Sequence, residues 1–138
     1  VFRKIMVPID LRHLDRLGNA LGVAADLAGH YKAEVVYVAV AGREPSDLGR
    51  GAEEVAARLA AFGKDQAARH GHAATTHLIV SHDPAVELDK RLLAAEGETG
   101  ADLVVMQSHV PNVADYIWAS HGGTLAQHSR VSVMLVRG

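Results

Sequence analysis

The 138-residue chain carries 14 Lys+Arg against 16 Asp+Glu, a formal net charge of -2, and contains no cysteine. That balance gives no electrostatic case for nucleic acid or an anionic membrane surface, and the lack of cysteine excludes disulfides, thiol nucleophiles and Cys-type zinc sites. Hydrophobic residues make up 49% but aromatic ones only 4%, so the core has to be built from Ala, Val and Leu, as in helices packed on a buried sheet.

A first strand is predicted over Phe2 to Ile9, where the run Ile5-Met6-Val7 ends at Pro8 and Asp10, the pattern of a central strand leaving its sheet. Leu14, Leu17, Leu21, Ala24, Ala25 and Ala28 then recur at helical spacing, predicting a helix from Leu14 to about His30 with Gly29 as its stop. Val35 to Val40 is a second β-branched run, and Ala41 to Gly49, with Gly42 and Pro45, reads as a surface loop. An Ala-rich helix follows from about Ala52 to Arg69, then a strand from Thr75 to Val80. Asp83-Pro84 marks the next helix start, since the carboxylate can cap free N–H groups and proline needs no donor at the first helical position. This helix runs to about Glu96 and stops near Gly97 and Gly100. Leu103 to Met106 is a strand, Ser120 to His128 a short helix, and Val131 to Val136 a closing strand.

The order βαβαβαβαβ with near-continuous apolar strands demands a parallel sheet covered by helices on both faces, and right-handed crossovers make it doubly wound. No apolar run approaches the ~18 residues of a membrane span, and the length predicts one domain over residues 1–138. A cytoplasmic protein with no membrane or nucleic-acid partner is expected. Ligands of such sheets sit beyond the C-terminal strand ends where strand order reverses. If the first and fourth strands are neighbours there, Asp10 and the segment Gln107 to Val110 face each other across one crevice.

Asp10 can accept from a ribose hydroxyl or an adenine amine, or it can cap the turn that follows it. Ser108, His109, Ser120, His121 and the Gly122-Gly123 pair can hold phosphate oxygens with hydroxyls and the N–H groups of a helix start. The alternative is an ordinary strand exit with Ser120 as N-cap. No Lys or Arg lies between Asp102 and His128, so that segment offers no cationic clamp, and Asp115 adds negative charge. The nine histidines show no ligand spacing: His70 and His72 share no helix face, and His121 and His128 lack a third partner. A Ser108-His109-Asp10 hydrolase has no G-x-S-x-G elbow to support it. Trp118 reads as packing over a helix or a partner, with stacking on a base as the alternative.

The segments Lys4-Ile5-Met6-Val7-Pro8-Ile9-Asp10, Asp83-Pro84-Ala85, Ala101-Asp102-Leu103-Val104-Val105-Met106 and Val131-Ser132-Val133-Met134-Leu135-Val136-Arg137 together resemble the universal stress proteins over essentially the whole chain. The resemblance implies a single α/β domain of the adenine nucleotide alpha hydrolase-like type, with five parallel strands in the order 3-2-1-4-5. In the ATP-binding branch of that family, a G-x-x-G loop follows the fourth strand, and a later Gly stands beside Ser or Thr. Here the loop glycines fall on Gln107 and Val110 and the later pair on Ala119-Ser120, while Ser108, His109 and Ser120 are retained. The adenosine positions fall on Pro8, Ile9, Asp10 and Val40. The resemblance therefore implies a non-enzymatic stress-response protein with slow ATP hydrolysis at most, holding no firm cofactor or else ATP or AMP with a weakened phosphate grip. It also implies a homodimer through the closing strand, and Val131, Val133 and Leu135 form an apolar edge that a two-fold pairing would cover.

Overall fold

The computed structural model describes residues 1–46, 49–108 and 121–138, with the backbone alone for 121–123. Among the described residues, strands β1 (Lys4–Pro8), β2 (Glu34–Gly42), β3 (Ala74–Ser81), β4 (Leu103–Gln107) and β5 (Ser132–Val136) form one parallel sheet. Their order is β3-β2-β1-β4-β5, the doubly wound arrangement expected from the sequence. The helices are α1 (Gly18–Tyr31), α2 (Ala52–His70), α3 (Pro84–Thr99) and α4 (His121–His128).

Side-chain alternation along the strands divides the core into two layers. Ile5 and Val7 pack with Val35, Tyr37 and Val105 on the side of α1 and α2. Met6, Val36, Val38, Val104 and Met106 pack on the side of α3 and α4, through Leu88, Leu92 and Leu125. Ile5 and Met6 are both 0% exposed; burying each contributes about 1.5–3 kcal/mol, so β1 is apolar on both faces. The N-terminal end of β1 is tied down by the Asp102 carboxylate, which accepts from the Arg3 N–H at 2.9 Å and the Lys4 N–H at 3.1 Å.

Several boundaries differ from the sequence expectation. Leu14–Arg16 forms a separate 3-10 turn, and α1 begins at Gly18. Gly29 is not its stop: the helix continues to Tyr31 and closes with Lys32 in the left-handed region, φ 55°. The N–H groups of Lys32 and Ala33 both reach the Ala28 carbonyl, so two end bonds hold a conformation that usually favours glycine. β2 extends past Val40 because Ala41 and Gly42 pair with Val80 and Ser81. Gly97 lies inside α3, and Gly100, φ 73°, is the residue that ends it. At Gly63 a Cβ would meet Thr76 Cγ2 at 2.7 Å, so a bare backbone lets α2 approach β3.

Candidate functional site

The strand order reverses between β1 and β4, which pair at Ile5–Leu103 and Met6–Val104. Beyond the C-terminal ends of β1, β2 and β3, against the start of α3, lies a cleft of about 530 Å³. Ile9, Asp10 and Val40 line it, as do Pro84 and Leu88 of α3. The Ile9 N–H donates to the Val38 carbonyl at 2.8 Å, carrying the chain one residue past β1 before it turns at Asp10.

That turn is built on Asp10. Its backbone carbonyl accepts from the His13 N–H at 3.0 Å, and its Oδ1 accepts from the Arg12 N–H at 3.0 Å. Oδ2 lies 2.8 Å from His13 Nδ1. The Asp10 side chain is 10% exposed and that of His13 34%. Asp10 thus caps its own turn, as one of its two sequence readings expects, while lying on the cleft wall. An ionised carboxylate offers about four acceptor sites, and these two contacts leave capacity for a ligand.

The opposite wall is the β3–α3 junction. Asp83 caps α3 by accepting from the Val86 N–H at 3.4 Å, with Pro84 at the first helical position, as its sequence signature predicts. Ser81, fully buried, donates its hydroxyl to Glu87 Oε1. That bond, helped by the Asp83 backbone N–H and then by Arg91 and Lys90, holds the Glu87 carboxyl below the usual carboxylate range against the opposing effect of burial. Arg12 and Arg43 also line the cleft, from the loops after β1 and β2. Scanning only the β4-to-α4 segment for cations overlooks them, because their proximity depends on how the strands are ordered.

Gln107 corrects a sequence expectation. Odd-numbered side chains of β4 face α1, so Gln107 points away from the cleft instead of facing Asp10 across it. It is 2% exposed; its Oε1 accepts from the Ala20 N–H at 3.0 Å and its Nε2 donates to the Ser108 carbonyl at 3.1 Å. Ala20 is in the first turn of α1, whose N-cap residue Leu17 supplies no side-chain bond. The glutamine amide therefore does from β4 what a capping side chain does locally. Ser108 is buried, and its N–H donates to the Val136 carbonyl at 2.7 Å. Pro8 is buried in β1. Pro8, Gln107 and Ser108 are thus behind the cleft, not on its described wall.

His109, Val110, Asp115, Trp118, Ala119 and Ser120 lie outside the described residues; the backbone of His121 and Gly122 opens α4. Of the Ser108-His109-Asp10 set, His109 lies outside the described residues, and the Asp10 carboxylate contacts His13. Among the described residues no group of three His, Cys, Asp or Glu could hold a metal ion. His70 and His72 stack with ring centroids 6.0 Å apart, and His72 Nε2 lies 3.3 Å from the Tyr37 hydroxyl, whose pKa is pushed up by burial. No helix among the described residues is long and apolar enough to cross a membrane. β5 is at a sheet edge; Val131, Val133 and Leu135 are half-buried against the α3–α4 layer, and Met134 is 42% exposed.

Universal stress proteins of known structure share this fold. One from Burkholderia pseudomallei is 24% identical with a TM-score of 0.66, covering 96% of this chain and 94% of that one. One from Archaeoglobus fulgidus, in complex with dAMP, is 18% identical with a TM-score of 0.69 over 98% of each chain. A third, in complex with cAMP, is 19% identical with a TM-score of 0.69, covering 98% of this chain and 97% of that one. No curated protein sequence matches. The sequence model of the universal stress protein family, however, matches residues 2–137. Nearly every residue of the folded unit is included in that match, and the chain therefore belongs to the universal stress protein family.

Proposed function

We propose that residues 1–138 act as one non-enzymatic stress-response domain, cytoplasmic and dimeric, that takes an adenine nucleotide by its adenosine end and grips the phosphates weakly. The observation carrying this reading is the 530 Å³ cleft with Ile9, Asp10 and Val40 on its walls: apolar surface for a base and, at the exit of β1, the Asp10 carboxylate for hydroxyl or amine donors, the composition of a small-molecule site. Related folds with dAMP and cAMP bound support the ligand class. Weak phosphate binding is supported by Gln107, Val110 and Ala119, which stand where the ATP-binding branch of the family has glycine. The dimer is supported by the β5 edge, with Met134 exposed and unpaired strand edges prone to association.

Calorimetric titration with adenosine, AMP and ATP tests the reading. Adenosine and AMP are expected to bind, with ATP within about tenfold of AMP, a difference of about 1.4 kcal/mol. ATP binding a thousandfold tighter than adenosine would overturn the weak phosphate grip, and binding of none of the three would overturn the adenine reading. Sedimentation equilibrium of Met134→Lys checks the dimer: a charge in the pairing edge should yield monomer, and an unchanged mass excludes pairing through β5.

A further inference from the structure

We propose that His13 is a positioning residue of the nucleotide site, holding the Asp10 carboxylate in the orientation that a nucleoside meets; the inference rests on the adenosine reading of the cleft. The described contacts that close the Asp10–His13 turn are two backbone N–H bonds to Asp10 and the side-chain contact of Nδ1 with Oδ2 at 2.8 Å. The Arg12 N–H engages Oδ1 alone. One backbone bond permits the carboxylate plane to swing about that oxygen, while two bonds to different oxygens set its plane and leave defined lone pairs toward the cleft. Neutral imidazole donates from only one nitrogen, so the contact requires the proton on Nδ1. His13 itself lines the cleft, yet its side chain is 34% exposed, so replacing it opens no core cavity. A preset carboxylate spares a ligand the cost of ordering that group.

The geometry makes a discriminating substitution available. In asparagine the amide nitrogen stands at the same bond distance from Cβ as Nδ1 of histidine, whereas in glutamine it stands one bond farther out. Adenosine and AMP are titrated against the unaltered protein, His13→Asn, His13→Gln and His13→Ala, with urea unfolding of each as a control. Expected is a loss of roughly five- to tenfold in affinity for both ligands in the Ala and Gln variants, the size of a lost preorganising contact. His13→Asn should stay within about twofold, and the urea midpoints identify any part of a loss that comes from unfolding. Equal affinities in all four, or an Asn variant as weak as Ala, would overturn the role of His13 and leave the adenosine reading standing. Failure of the unaltered protein to bind either ligand would overturn that reading, and the role with it.

Discussion

The C-terminal rim of the sheet has two ends that the chain treats in opposite ways. Beyond β1, β2 and β3 the rim is open, with Asp10 and two arginines on a 530 Å³ cleft. At the exit of β4 the corresponding polar side chain, Gln107, is buried and spends its amide on Ala20 and Ser108. The same fold can leave a helix start for a ligand or fill it with its own side chain, since a buried N–H must find an acceptor either way. Polar residues at the open end should govern binding, and those at the closed end stability.

The largest expected effect is on binding at the open end. Asp10→Ala should weaken AMP by ten- to a hundredfold, about 1.5–3 kcal/mol for hydrogen bonds to a charged group, with unfolding stability lowered by less than about 1 kcal/mol. Calorimetry and urea unfolding on the same preparation check both halves, and an unfolded variant breaks the comparison. At the closed end, Gln107→Leu should cost about 1–3 kcal/mol in urea unfolding, because the Ala20 N–H and Ser108 carbonyl lose a buried partner. A larger change in adenosine affinity than in stability would show that the closed end belongs to the site.

The α3 wall of the cleft gives smaller effects. Asp83→Ala should lower stability by about 0.5–1 kcal/mol, toward the low end for a cap whose bond is long. Ser81→Ala should raise the Glu87 pKa toward its ordinary 4.5, seen in the carboxyl carbon shift during an NMR pH titration. The folded-state pKa of Glu87 is depressed, so its contribution is fully present above about pH 4.5 and is lost as pH falls through the folded value. The substitution should flatten that acid-side loss, and an unmoved titration would exclude Ser81 as its cause.

Much of the open end was legible because its signals are local. Ile9-Asp10 after an apolar strand lies on the cleft wall and Asp83-Pro84 opens α3 before an amphipathic run, each marked by residues a few positions apart, whereas Pro8 is buried in β1. His13 was missed although it is three residues from Asp10, since a lone histidine in a turn carries no periodic signal. At Gln107 the residue type shows that a glycine is lacking but not that the amide caps α1, a partner 87 residues away. Lys32 was hidden because Gly29 offered the more familiar helix end.

The sequence by itself determined the alternation of strands and helices, the parallel sheet and the family, because strands buried on both faces must be apolar throughout and crossovers have one hand. It also placed a carboxylate at the switch point. Only the tertiary structure decided which polar groups meet: Asp102 with the start of β1, His13 with Asp10, Gln107 with α1. Hydrophobic pattern is written along the chain, but a hydrogen bond needs its donor and acceptor aligned within about 3 Å, and that alignment exists only after the strands have taken their order.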